Sequence, residues 1–415
     1  MKATKLLLFV ALVSFFIAIQ GMKTPVLKAQ TDDPALQGTG VEAQTGFDHE
    51  SNGFLDQTSF EEARDGFDAV EDLEDGVGPV FNGKSCGECH GNPISGGNSQ
   101  VAVIRAGHFD GTSFLDHPGG SLIHSRAIDP RIQERIMPGN ETRSFRMSLS
   151  ILGDGFIEAI DDTALLAIAQ AQKTATNGKI QGQAILVPVL EAPGVSRVGR
   201  FGWKAQHASL LSFAGDAYLN EMGITTPMFP VENTANGRDV SQFDTVADPD
   251  EADNDDLELF ANFMRSTKAP SRDERMMNAP EGRNGERIFN DMGCAICHVP
   301  TLTTLPAGTL INGGTFMIPA ALGDKTIHPF SDFLLHDIGT GDGIVQNGGL
   351  STRNKIRTPP LWGLRTRNQY MHDGATLSLD EAIMRHRGEA SDVIERYKTL
   401  SRRKKDDLFR FLDSL

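Results

Sequence analysis

Apolar positions fall into a few helix-like runs separated by stretches rich in glycine and proline. Leu6 to Ile19 is apolar except for Ser14 and follows Lys2 and Lys5. This run is shorter than the roughly 18–20 residues that cross a bilayer as a helix. With Leu27-Lys28-Ala29 as a cleavage site, residues 1–29 read as a secretory signal, with an uncleaved anchor as the alternative. Residues 30–58 are polar and Gly-rich and read as a flexible lead-in. Phe60 to Val70 has helical spacing, broken by Gly76-Val77-Gly78-Pro79, and Gly91 to Gln100 reads as a loop. Thr163 to Lys173 predicts a helix with Asp161 or Asp162 as N-cap. Ala208 to Met222 predicts another, ended by Gly223 and Pro227. Leu408, Phe411, Leu412 and Leu415 form an i, i+3, i+4, i+7 face on a closing helix.

Composition adds a core and a sign of charge. The 415 residues are 39% apolar and 23% charged, enough for more than one domain. The net charge of −16 makes nucleic acid a poor partner. Between Asp244 and Glu258 stand eight acids and no Lys or Arg. Such a run reads as a solvated linker; calcium binding is the alternative, although the spacing does not match an EF-hand loop. The run divides the chain into an N-terminal domain over 59–243, a linker over 244–256 and a C-terminal domain over 257–415.

Four cysteines form two pairs, Cys86/Cys89 and Cys294/Cys297, each followed at once by a histidine, His90 and His298. Phe81-Asn82 and Phe289-Asn290 stand at the same offset before them, so the two copies read as an internal repeat. Cys-x-x-Cys-His is the attachment signature of c-type haem. Two thiols three positions apart on one helical turn can reach both vinyl groups of a porphyrin, and the adjacent imidazole faces the iron. A zinc tetrahedron would use the two pairs together and a dithiol redox site would need one; neither explains two immediate histidines. Two covalently bound haems are therefore expected, consuming all four sulfurs.

Further stretches carry a family resemblance. Gly76-Val77-Gly78-Pro79-Val80-Phe81-Asn82, Gly199-Arg200-Phe201-Gly202-Trp203-Lys204-Ala205 and Asn220-Glu221-Met222-Gly223-Ile224-Thr225 come first. Arg357-Thr358-Pro359-Pro360-Leu361-Trp362-Gly363-Leu364, Tyr370-Met371-His372-Asp373-Gly374 and Leu379-Asp380-Glu381-Ala382-Ile383 follow. In these the chain resembles the bacterial di-haem cytochrome c peroxidases, and within them the di-haem oxidoreductase, putative peroxidase group. The resemblance implies a mainly α fold of two cytochrome-c-like modules with long loops, and short strands in the insertions. It implies Trp203 as the aromatic relay between the haems and Glu221 as the acid–base group of the peroxide-reacting haem. Packing and a surface carboxylate are the respective alternatives. If the segment were continuous, Trp203 and Glu221 would share one helix face.

The resemblance also places a sixth ligand of the second haem at His386, after the capping box Ser378 to Glu381. The peroxidases commonly have methionine there; Met371 and Met384 are the competitors. A second histidine would lower this iron's potential relative to methionine. His108 is compatible with a displaceable ligand of the first haem, or with a plain loop residue. His336 and His372, each preceding an aspartate, read as structural hydrogen-bond partners.

The implied function is an exported, periplasmic oxidoreductase that is not an integral membrane protein. A small cytochrome or cupredoxin would donate electrons to the C-terminal haem, and the N-terminal haem would reduce hydrogen peroxide or another small oxidant. A plain electron carrier and an oxidase modifying a partner protein are the alternatives.

Overall fold

The computed structural model describes residues 38–415; the expected signal segment and its cleavage site lie outside the described residues. The lead-in does not dangle from residue 38 onward. Val41–Glu42 pairs in parallel with the strand Lys325–Ile327. The buried Asn52 side chain donates to the carbonyls of Arg265 and Thr267 at 2.8 and 3.0 Å. These residues are held because they supply backbone and side-chain partners to segments more than 200 positions away.

Helix α1 (Gln57–Asp68) starts where the Asp56 carboxylate accepts from the Ser59 amide at 3.1 Å. Phe60, Ala63 and Phe67 make its buried face. A single turn, α2 (Asp154–Glu158), precedes α3 (Asp162–Ala175), which Asp161 caps as its sequence suggests. Then follow α4 (Leu210–Ala217) and α5 (Asp255–Ser266). Phe263 of α5 lies 5.6 Å from Phe60 and 4.7 Å from Phe67, ring centre to ring centre. The acidic run is therefore not a divider between halves. Asp255, Asp256 and Glu258 form the first turn of α5, where negative charge suits the helix dipole, and α5 closes the N-terminal helical group instead of opening the second one.

The C-terminal group repeats this plan. After the short α6 (Glu274–Met277), α7 (Pro280–Met292) begins with proline in its first turn and ends at Gly293. The last helices are α8 (Leu379–Met384), α9 (Ser391–Lys398) and α10 (Arg402–Leu412). Helix α7 crosses α10 closely: a Cβ on Gly285 would stand 2.0 Å from the Asp407 carbonyl oxygen. Phe289 meets Phe411 at 5.4 Å. Each module thus brings an early helix against a late one.

Helices hold 31% of the described residues, so the mainly α expectation holds only in part. The expected strands within the N-terminal insertion are present. Ala102–Phe109 pairs antiparallel with Phe114–Asp116, Leu122–Ile123 and Thr142–Met147. The Phe-Asn repeat frame does not hold. Phe289 lies on α7, whereas Phe81 lies on the strand Val80–Phe81. The structural counterpart of Phe289 is Phe67: each ring sits 6.2 Å from its own motif histidine, at 53° and 58°. The extra residues between α1 and Cys86 serve another purpose, described below.

Glu158 ties α2, α4 and α5 together. Its fully buried carboxylate accepts from Arg265 at 2.8 and 3.1 Å, from the Leu210 amide at 2.9 Å and from Asn312 at 3.0 Å. Burial opposes its ionised form, but Arg265 and these donors outweigh it and hold the carboxyl below its ordinary range. Its stabilising effect is present above the unfolded pKa and is lost as pH falls through the folded one. Glu158→Gln strands Arg265 as an uncompensated buried charge, so denaturant unfolding at pH 7 should read a loss of about 3–5 kcal/mol. The gap to the parent should narrow as pH falls below about 4.

Candidate haem cavities and the wall between them

Cys294 to Ile296 form a tight turn directly after α7, which presents Cys294, Cys297 and His298 to a largely apolar cavity. His386, just past α8, lines the same cavity. The Ser378 hydroxyl caps α8 by accepting from the Glu381 amide at 3.2 Å. The His298 and His386 ring centres are 6.5 Å apart. Two imidazoles sharing one metal ion through nitrogens at about 2 Å stand at about this separation. The Nδ1 of His298 faces the Phe330 carbonyl at 3.1 Å and that of His386 the Ala382 carbonyl at 2.9 Å. Donation from Nδ1 leaves each Nε2 lone pair for a metal.

Burial pulls His298 down to about 4 and lowers His386, favouring the neutral ligand form. Burial also pushes the Cys294 and Cys86 thiols up to about 12 and Cys89 to about 11, which disfavours the thiolates that zinc or dithiol exchange requires. Arg367 lines this cavity with its Nε unpartnered, and burial lowers it to about 10. The carboxylates of a porphyrin would answer that cation, so the residues fit a haem. Met371 also lines the cavity, whereas Met384 packs into the neighbouring core.

A second cavity is lined by His90, Arg105, Asp154, Phe213, Asp216 and Glu221 among others. Burial lowers His90 to about 4, again the neutral form, so this site too fits a haem. No second histidine lines it. His108 lies on a strand, paired with Glu141 at 2.9 Å, and stays outside the cavity.

Glu221 sits in a π-turn, Tyr218–Met222, that ends α4, a helix irregularity common at functional sites. The segment before Cys86 fixes it. The Asn82 and Gly83 amides donate to the Glu221 carbonyl at 2.7 and 3.0 Å. The Asn82 side-chain amide donates to Glu221 Oε2 at 2.9 Å. Gly78 and Gly223 touch backbone to backbone, leaving no room for a Cβ on either. Burial raises the Glu221 pKa, opposed in part by Arg105 and by Asn82. Asn82 stood out in the sequence as part of an apparent repeat and of a family-like stretch, but with no role attached, and Arg105 carried no sequence signal.

Trp203 lines both cavities. It is buried, donates its indole N–H to the Met147 carbonyl at 2.7 Å and meets the His372 ring edge-on at 6.0 Å. Arg357 also lines both and donates its backbone N–H to the Trp203 carbonyl at 2.8 Å. Trp203 and Glu221 do not share a helix. Trp203 lies in a turn and α4 begins only at Leu210; the cavity, not a helix face, unites them. His336 is a structural partner, but of Asp332 at 2.8 Å and Glu389 at 2.9 Å. His372 does not pair with Asp373, which binds Arg385, and its Nδ1 is buried without a partner.

Two imidazole-bearing cavities that share one tryptophan wall define a redox protein with two haem centres. The family described as "Di-haem oxidoreductase, putative peroxidase" matches residues 124–415, and the chain belongs to it. The matched range begins after the first Cys-x-x-Cys-His. The chain is thus an oxidoreductase of a two-haem, peroxidase-type family. No curated protein matches it. Similar solved structures include Kuenenia stuttgartiensis hydrazine synthase, at 14% identity over 100% of both chains and a TM-score of 0.40. A MauG-like protein associated with microbial copper homeostasis aligns at 15% identity over 91% of this chain and 93% of that one, TM-score 0.40. The diheme peroxidase BthA from Burkholderia thailandensis aligns at 14% over 91% and 94%, TM-score 0.39.

The Asn82 bond favours the ionised form of Glu221, so deleting it raises the carboxyl further. A charge-assisted bond of about 1.5 kcal/mol corresponds to about one pH unit. Asn82→Ala should shift the Glu221 titration upward by that amount, read from the carboxyl infrared band.

Proposed function

We propose that this protein is an exported di-haem peroxidase. Cys86, Cys89 and His90 hold the peroxide-reacting haem. Cys294, Cys297, His298 and His386 would hold the haem that receives electrons from a small redox protein. The observation that carries this reading is the inequality of the two cavities. Opposite His298 stands another imidazole, whereas the cavity of His90 offers carboxyls, Glu221 among them, and guanidiniums instead.

Bound haem iron supplies one-electron chemistry and, at an open coordination position, a site for small oxidants. The protein's own groups handle protons and geometry. The overall change is H2O2 + 2e− + 2H+ → 2H2O. Glu221, with its raised pKa, suits taking a proton from one peroxide oxygen and returning it to the other. Arg105 lines the same space and favours negative charge developing there. Asn82 keeps the carboxyl in place through both protonation states. Trp203 forms an aromatic bridge between the cavities, fixed by its bond to Met147. His386 would offer this haem a second neutral imidazole, a ligand that gives iron a lower potential than methionine does.

Export rests on the N-terminal signal reading. Among the described residues no helix is long and apolar enough to cross a membrane. The proposal extends to calcium on the acidic segment. Glu232, Asp248 and Asp250 gather there, and burial with neighbouring acids raises Glu232 to about 8.

Glu221→Gln tests the acid–base assignment. Peroxide turnover should fall by about 100- to 10000-fold, while the protein mass still includes two haems. Full turnover in that variant removes Glu221 from the mechanism. His386→Met should raise the reduction potential of one haem only, by spectroelectrochemical titration; two unchanged potentials would exclude His386 as a ligand.

A further inference from the structure

The residues flanking both ends of the bond that orients Trp203 converge on one carboxylate. The indole N–H donates to the Met147 carbonyl. Arg146 precedes Met147, and Lys204 follows Trp203. Arg146 reaches Asp342 Oδ2 at 2.6 Å and Lys204 Nζ reaches Asp342 Oδ1 at 3.2 Å. The side chains of Asp342 and Lys204 are fully buried and that of Arg146 is 5% exposed. Lys204 also donates to the carbonyls of Thr352, Arg353 and Lys355 at 2.8, 3.1 and 2.7 Å. Arg357, whose amide binds the Trp203 carbonyl, comes two residues later. Arg146 has one further side-chain partner, Gln346 at 2.5 Å.

We propose that Asp342 is a positioning residue for Trp203. Its carboxylate locks the end of the strand Thr142–Met147 to the turn at Trp203–Lys204, and so keeps the indole on the Met147 carbonyl between the two cavities. Two cations on separate segments share this one anion, and neither forms an ion pair with any other carboxylate among the described residues. Without it Lys204 keeps its carbonyls and Arg146 keeps Gln346, but strand and turn lose their common partner. Two buried cations that share one buried anion favour a single arrangement, because moving either one strands a charge. Burial disfavours the Asp342 carboxylate, yet Arg146 and Lys204 hold its pKa below the ordinary range. The functional weight of this clamp rests on the reading of Trp203 as the bridge between the haems.

The chain has two tryptophans. In a Trp362→Phe background, ultraviolet resonance Raman spectra of the holoprotein therefore report the Trp203 N–H bond alone. Asp342→Asn should move the indole marker band toward its weakly bonded position. It should also slow equilibration of one electron between the two haems several-fold, with both haems retained. Removing an anion beside two buried cations can cost folding, so Asp342→Asn combined with Lys204→Met, which deletes one charge of each sign, should give the same two changes. A band that stays in place in the folded variants overturns the clamp. Trp203→Phe separates the two ideas. If it leaves equilibration unchanged while Asp342→Asn still moves the band, the bridge reading fails and the clamp stands.

Discussion

Both sites depend on keeping an imidazole neutral, buried and aimed across a cavity. The histidine that ends each Cys-x-x-Cys-His turn is wedged against a phenylalanine of a preceding helix, Phe67 for His90 and Phe289 for His298, at the same distance and nearly the same tilt. Burial removes water from each ring and lowers its pKa to about 4, so the free lone pair is the stable form near neutral pH. The paired helices behind those rings supply the rigidity. Phe263 of α5 backs Phe67, and Phe411 of α10 backs Phe289.

From this shared base the modules diverge through what faces the histidine. In the C-terminal cavity a short capped helix delivers His386. In the N-terminal cavity a longer stretch between α1 and Cys86 loops over the end of α4 and grips Glu221 through Asn82, Gly83 and the Gly78–Gly223 contact. One module therefore sets two imidazoles face to face, and the other places an imidazole and a carboxyl on the same cavity. The same attachment turn serves two kinds of environment because the turn and the opposite wall come from different parts of the chain.

The wall between the cavities is built from buried charge. Arg146, Lys204 and Arg357 are all buried, which is costly unless each is paired or saturated with hydrogen bonds. Asp342 and a set of backbone carbonyls meet that requirement for Lys204. Gly202 and Thr358 carbonyls do so for Arg357. Such a wall resists rearrangement, because every alternative packing strands a charge. Rigidity there keeps Trp203 in contact with both cavities.

Much of this is legible along the chain. The two Cys-x-x-Cys-His turns, the helices over α1, α3, α4 and α10 and the caps at Asp161 and Ser378 follow from local rules, whereas His386 was singled out by the family resemblance. Spacing, capping chemistry and motif register act over a few residues, and sequence displays them directly. The family resemblance likewise singled out Trp203 and Glu221, but the segment between them is not the continuous helix that would have put them on one face. Packing alone decided that Phe67 rather than Phe81 matches Phe289, that α5 belongs with α1, and that Asn82 binds a carboxylate 139 positions away. It also brought Asp342 to Lys204 and Arg146. Those pairings depend on how whole segments dock, and a buried charge takes whichever partner the docked backbone brings within reach, with no periodicity in the chain to announce it.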